Sequence, residues 1–237
     1  FDEFHGWLIS TVESNSPYYY PYNRFDNDKL IHIKANEHDK HIKHNTDIST
    51  DDAINFIKRN KKNPFFLYLA FDAPHEPYII DNTTWYDDES WSMNDKRYAS
   101  LVTHMDAAIG RLLTYLEKNN LRENTLVIFA SASDNGAAVQ APLKLFNCNA
   151  GFRGRKAQLY EGGIRVPFIV NQPGKVPVQS LNNIIYFPDV MPTLAALTGG
   201  TQYLPQNING MNILPLFYGK QIDTDDRVLY WEFPGKQ

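Results

Sequence analysis

The sequence has little of what would classify a protein at a glance. It holds one cysteine, Cys148, so no disulfide can form within the chain. No apolar run approaches the roughly 20 residues that a membrane-spanning helix needs. Neither sign of charge dominates. With 23 basic and 27 acidic residues the net charge is −4, too mild for a nucleic-acid-binding surface. The chain has no internal repeat. It also has no initiating Met and no basic-then-apolar leader, opening on Phe1-Asp2-Glu3-Phe4-His5-Gly6-Trp7 and closing on Trp231-Glu232-Phe233-Pro234-Gly235-Lys236-Gln237. Both ends read as cuts within a longer protein, so the missing leader excludes nothing.

What is present suffices for a folded core. A chain of 237 residues, 43% of them hydrophobic, can build one large α/β domain or two small ones. Residues 11–50 are polar, with a tyrosine cluster (Tyr18, Tyr19, Tyr20, Tyr22), and read as irregular. Residues 51–200 read as a sheet-and-helix core, and 201–237 as the lead-in to a further subdomain. Within the core, Ser49 is placed to cap a helix from Asp51 to about Asn60. Phe65-Phe66-Leu67-Tyr68-Leu69-Ala70-Phe71 follows as an unbroken apolar run, as in a strand covered on both faces. Tyr98, Leu101, Val102, Met105, Ala108, Ile109, Leu112, Leu113 and Leu116 recur at three and four residues, the stripe of an amphipathic helix that stops at Asn119-Asn120. Thr125–Ala130 and Arg165–Val170 read as further buried strands, and Pro188–Leu197 as a short helix ended by Gly199-Gly200. Strands alternating with helices predict an α/β fold, a mostly parallel sheet sandwiched by helices.

Three segments carry polar groups that an apolar sheet does not need. Ala73-Pro74-His75-Glu76-Pro77-Tyr78 places an imidazole and a carboxylate between two prolines, either a rigid surface turn or a residue held for a task. Asp134-Asn135-Gly136 ends the strand at 125–130. It is either a tight turn or a hard-oxygen pair suited to Ca²⁺ or Mg²⁺. Gly151 to Pro167 carries glycines at 151, 154, 162 and 163 among Arg153, Arg155 and Lys156, either a solvated basic loop or a flexible cationic one that approaches an anion. Together a cation-binding acid, a positioned imidazole and a basic loop suit an anionic ester. The metal and lysine would neutralise charge gained in the transition state, and the imidazole could protonate the departing alcohol.

These segments, in this order, resemble the type I sulfatases, with the arylsulfatases and N-acetylgalactosamine-4-sulfatase the nearest in flavour. The likeness rests on Leu67-Tyr68-Leu69-Ala70 leading to Pro74-His75-Glu76-Pro77, on Ser133-Asp134-Asn135-Gly136, and on Arg153-Gly154-Arg155-Lys156 with Tyr160-Glu161-Gly162-Gly163-Ile164-Arg165-Val166-Pro167. Phe187-Pro188-Asp189-Val190-Met191-Pro192-Thr193-Leu194 and the opening Phe1 to Gly6 add to it. The resemblance implies an alkaline-phosphatase-like fold and hydrolysis of sulfate esters of an aryl compound or a sugar. It implies that Asp134 and Asn135 ligate Ca²⁺ (Mg²⁺ being possible). His75 and Lys156 would contact the sulfate, one of them assisting the leaving oxygen, in an exported or lysosomal enzyme. Glu161 and Arg165 look like loop-shaping residues.

Two departures accompany it. Ser131-Ala132 stands as a two-residue insertion before the metal pair, which would move a strand tip by about 6–7 Å unless a bulge absorbs it. The Cys/Ser-x-Pro/Ala-x-Arg signature that yields the family's formylglycine nucleophile is missing, as are the early Asp pair and the Gly-Lys-Trp-His motif. Asp134 and Asn135 alone offer about three oxygens where Ca²⁺ takes about 6–8, so this stretch would hold only half of an active site. A phosphatase or phosphodiesterase of the same superfamily is the rival enzyme, although it would favour His over Asn135 for zinc. A non-catalytic binder of sulfated glycans is the other rival. His38, His41 and His44 are spaced as a helical metal site might be, but sit in a solvated charge run.

Overall fold

The computed structural model describes residues 1–7, 19–130, 135–224 and 226–233. Its elements in chain order are β1 (His5–Gly6), β2 (Asn23–Asp26), β3 (Lys29–His32), α1 (Asn45–Asn60), α2 (Met93–Lys118), β4 (Val127–Ala130), α3 (Leu143–Phe146), α4 (Glu161–Ile164), β5 (Phe168–Asn171), α5 (Val190–Thr198) and α6 (Leu214–Phe217). They divide between two compact units, one formed by Phe1–Leu121, Ser131–Val166 and Phe233–Gln237, the other by Arg122–Ala130 and Pro167–Glu232.

In the first unit, β1, β2 and β3 form an antiparallel sheet in that order. The segment expected to be irregular therefore contains a hairpin, turned by Asn27 at φ +55°, whose side-chain oxygen accepts from the Phe4 amide at 2.8 Å. Asn tolerates that left-handed conformation better than other non-glycine residues. Helix α1 begins six residues earlier than the sequence predicts. Its cap is not Ser49 but His44, whose Nδ1 accepts from the Thr46 amide at 3.2 Å. Imidazole is rarely a capping group, so a search for Ser, Thr, Asp or Asn passes over it. Helix α2 follows its predicted stripe. Ser92 caps its start, and Asn120 at φ +58° closes it, with the Leu121 amide bonded to the Leu116 carbonyl and the Asn120 amide to that of Glu117.

The two helices pack together, and Arg111 of α2 reaches Asp47 and Asp51 of α1. His104 Nε2 also lies 3.1 Å from Asp47. Tyr19, Tyr20, Ala73, Tyr78, Ile80 and Leu101 are buried together as the core, so these tyrosines serve packing. His38 and His41 have positive φ and share no helical face with His44, which excludes the helical arrangement that their spacing allowed.

The run at 65–71 forms no paired strand among the described residues, and it is not buried on both faces. Phe65, Leu67, Leu69 and Phe71 are half-buried while Phe66 is 57% and Tyr68 73% exposed. An unbroken apolar run cannot reveal which face its neighbours cover. In the second unit β4 and β5 pair antiparallel, Val127 opposite Asn171 and Ala130 opposite Phe168; neither is buried, β4 being half-buried throughout and β5 alternating half-buried Phe168 and Val170 with exposed Ile169 and Asn171. The α/β class holds, yet among the described residues every strand pair is antiparallel. One face of β4 and β5 packs Ile128, Phe168 and Val170 on Ile213, Leu216 and Phe217. Beside this core, fully buried Asp189 accepts from Arg227 Nη1 at 2.9 Å and Nη2 at 2.5 Å, and from the Tyr186 and Met211 amides at 3.0 and 2.9 Å. Helix α5 stops at Gly199, φ +73°.

Two measurements check this account. Asp189→Ala strands a mostly buried guanidinium, and urea unfolding should show a loss of about 3–5 kcal/mol. His44 is driven down to about 3 by burial and by the neighbouring His104 charge. Since its folded value lies below the unfolded 6.5, the unfolded state binds the extra proton between the two. Its contribution is therefore complete above pH 6.5 and lost as pH falls towards 3. Between pH 7 and 5 the chain should lose about 1–2 kcal/mol that His44→Asn does not lose.

Candidate functional site

The described candidates His75, Asn135 and Lys156 lie in the first unit, outside its helices and strands. The basic loop is organised by its backbone. The Gly136 amide donates to the Gly163 carbonyl at 2.8 Å, and the Lys156 amide to the Ala137 carbonyl at 2.9 Å. Asn135-Gly136-Ala137 is thereby stitched to the two ends of the segment from Lys156 to Gly163. The contact is too close for side chains. A Cβ on Gly136 would run into the Gly162 carbonyl, and one on Gly163 into those of Gln158 and Arg155. The glycines noted in the sequence thus let backbone meet backbone.

Lys156 stands at the second position of a tight turn. The Gln158 amide donates to the Arg155 carbonyl at 3.0 Å, and Ala157 occupies the left-handed position at φ +69°. That position belongs to glycine in a type II turn, so an alanine there is strained. The loop's cations are not equivalent. Arg153 lies 3.7 Å over the Tyr160 ring, and Arg165 lies over Phe152 and reaches Glu161 at 3.4 Å. These contacts agree with a loop-shaping part for Glu161 and Arg165. The Arg155 and Lys156 side chains have no ion pair among the described residues.

His75 comes from the other loop. Its Nδ1 lies 2.5 Å from the Glu76 carbonyl. A carbonyl only accepts, so Nδ1 carries a proton in this exposed residue. Beneath it, the Tyr19 hydroxyl donates to the His75 carbonyl at 2.6 Å and the His75 amide donates to the Asp72 carbonyl at 2.8 Å. Asn45 Nδ2 donates to Asp72 Oδ2 at 2.6 Å. Burial pushes the Asp72 carboxyl up, and the His75 charge opposes that. Past the second proline the chain enters an aromatic ladder. Tyr78 meets Tyr98 at 5.2 Å between ring centres, Tyr98 stacks on Phe146 at 5.9 Å, and Trp91 meets Phe146 edge-on at 4.8 Å. Burial raises Tyr98 and pushes Tyr78 up to about 12. The ladder ties the His75 loop to the segment that follows Asn135.

The structure therefore joins half-buried Asn135 and Lys156 through adjoining backbone and presents His75 from a separately anchored loop. Asp134, with Ser131 and Ala132, lies outside the described residues. So does any effect of that insertion. Among the described residues no group of three or more His, Cys, Asp or Glu is placed to hold a metal. Asn135 supplies a hard amide oxygen, which fits Ca²⁺ or Mg²⁺ in kind but falls well short of a full shell. A cavity of about 430 Å³ between the β2–β3 hairpin and α1, lined in part by Arg24, Lys34, Lys43 and Asp52, contains none of the candidate residues. Sequence reasoning missed Tyr19, Asn45 and Asp72. Only Asp72, a carboxylate ending an apolar run, carried a readable signal.

The Sulfatase family profile matches residues 1–200, and the chain belongs to that family. It is 31% identical to a sulfatase of Formosa agariphila over 99% of this chain and 45% of that protein. It is 35% identical to an arylsulfatase of Hemicentrotus pulcherrimus over 71% of this chain and 29% of that protein. Among solved structures, Ps i-CgsB in complex with k-i-k-neocarrahexaose superposes with a TM-score of 0.69 at 31% identity, covering 82% of this chain and 41% of that one. The chain thus spans less than half the length of these relatives. No helix among the described residues is long and apolar enough to cross a membrane.

The loop's construction makes a paired prediction. Ala157→Gly should stabilise the chain by about 0.5–1 kcal/mol by relieving the turn. Gly136→Ala should destabilise it by about 3 kcal/mol or more through the clash with the Gly162 carbonyl. Urea titration of both variants checks the pair.

Proposed function

We propose that this chain supplies part of the active site of a sulfuric ester hydrolase acting on a sulfated glycan or aryl sulfate. The supporting observation is the bond from the Lys156 amide to the Ala137 carbonyl, which sets the Lys156 backbone against that of the residue two positions after Asn135. Lys156 binds the sulfate and offsets negative charge that grows on its oxygens. His75, with its Nδ1–H engaged by the Glu76 carbonyl, acts in its doubly protonated form, giving the Nε2 proton to the ester oxygen as the bond to sulfur breaks and the alcohol departs, and is left neutral. Asp134 and Asn135 would hold Ca²⁺, or Mg²⁺, which when bound polarises the sulfate oxygens. The remaining ligands and the formylglycine nucleophile would come from outside these 237 residues. The relative crystallised with a neocarrahexaose supports a glycan substrate, and the family resemblance supports an exported or lysosomal setting.

The rival phosphatase reading is weaker because Asn135 suits a hard cation better than zinc. In the enzyme that contains this chain, Lys156→Ala and His75→Ala should each lower kcat/KM on a sulfate ester by about 10²–10³-fold. Wild type should prefer the sulfate to the matching phosphate ester. Equal rates on both esters, or full activity in either variant, would overturn the proposal.

A further inference from the structure

The cavity between the β2–β3 hairpin and α1 holds more positive charge than its carboxylates balance. Arg24, Lys34 and Lys43 line it together with Asp51 and Asp52. Each of these carboxylates already has a cation, since Arg24 reaches Asp52 and Arg111 of α2 reaches Asp51. The acids on the segment between the two lysines are engaged as well, Glu37 by His32 Nε2 at 2.7 Å and Asp39 by the Tyr22 hydroxyl. Lys34 and Lys43 are left over. Both are exposed, and neither has an ion pair among the described residues.

The fold keeps these two lysines at one opening. Asn36, fully buried, donates from Nδ2 to the Lys43 carbonyl at 2.8 Å and accepts at Oδ1 from the Lys43 amide at 2.8 Å. The same Nδ2 reaches the Pro21 carbonyl at 3.0 Å. The Ile33 amide donates to the Tyr22 carbonyl at 2.6 Å and the Asn36 amide to the Ile33 carbonyl at 3.0 Å, which fixes the chain on either side of Lys34. Cations anchored at one cavity repel each other while it is empty, and an anion between them turns that repulsion into attraction. The rest of the lining narrows the choice of anion. Ile31, Ile33 and Ile48 supply apolar surface for the face of a sugar ring. Asp51 Oδ2 and Asp52 Oδ1, the oxygens outside those ion pairs, and the Asn55 amide can pair with hydroxyls. His32 is the one aromatic ring in the lining among the described residues, so a nucleotide base would find little to stack on. The volume of about 430 Å³ falls within the range of small-ligand sites.

We infer that this cavity binds a sulfated saccharide, with Lys34 and Lys43 on its sulfate and the isoleucines against its ring. None of the residues assigned to hydrolysis lines it, so it holds a sulfate that the reaction does not cleave. The choice of sulfate over another anionic group rests on the function proposed above. The surplus of cations does not.

The test is isothermal titration calorimetry on the enzyme that contains this chain, with sucrose octasulfate as the probe and sucrose and inorganic sulfate as references at equal ionic strength. It is run on Lys156→Ala, so that the proposed catalytic cation is absent. The octasulfate should bind at least about tenfold more tightly than inorganic sulfate, and sucrose should not bind. Adding Lys34→Gln with Lys43→Gln should weaken the octasulfate about tenfold or more. Both lysines are exposed, so the fold should survive, and an unchanged urea midpoint checks that. Lys58→Gln with Lys62→Gln removes the same charge from exposed positions at the C-terminal end of α1 and should cost less than about twofold. An affinity indifferent to Lys34 and Lys43, or an equal loss in the Lys58 and Lys62 control, would overturn the inference. So would inorganic sulfate binding as tightly as the octasulfate, the mark of a simple anion site. If wild type hydrolyses no sulfate ester while the Lys34 and Lys43 exchange still weakens binding, the function proposed above fails and this site stands.

Discussion

The site depends on one backbone junction. Where Asn135-Gly136-Ala137 meets the loop that runs from Lys156 to Gly163, two amide-to-carbonyl bonds join stretches some twenty residues apart in sequence, and glycine is the only residue that allows the approach. Such a junction sets positions more tightly than side-chain contacts do, because neither strand of it has rotamers to sample. Lys156 then emerges from a turn whose strain is held by its surroundings, and Arg153 and Arg165, though not the adjacent Arg155, are occupied by aromatic faces. The loop's positive charge is thereby sorted into structural and available parts.

His75 is placed by a different means. Its loop is anchored from below by Tyr19, Asn45 and Asp72 and continues into the Tyr78–Tyr98–Phe146 ladder. One catalytic candidate thus rests on backbone pairing and the other on buried aromatic packing, so the two can fail independently. The Glu76 carbonyl, held against Nδ1, fixes the orientation of the His75 ring.

Much of this was legible in the sequence. The stripe of α2 and its Asn119-Asn120 end followed from period and capping chemistry, and α5 from Pro188 and Gly199-Gly200. His75, Asn135 and Lys156 stood out because polar groups clustered after apolar runs among glycines and prolines. What escaped was non-local. His44 caps α1 through an imidazole, which no capping preference anticipates, and the hairpin at 23–32 lies in a segment read as irregular, where only the run around His32 alternates as a strand does. The run at 65–71 looked buried on both faces because Phe66 and Tyr68 are as apolar as their half-covered neighbours, and composition does not say where neighbours lie. The part played by Asp72 needed a tyrosine 53 residues away and an asparagine 27 residues away to become visible.

The claim on which the account turns is that the junction and the anchored loop serve one anion beside one hard cation. The most direct measurement is a crystal structure of the enzyme containing this chain, grown with Ca²⁺ and a non-hydrolysable sulfate-ester analogue. The account predicts the sulfate within hydrogen-bonding reach of Lys156 Nζ and His75 Nε2, with the Asn135 side-chain oxygen on the cation. A sulfate bound elsewhere, or a cation whose ligands exclude Asn135, would contradict it.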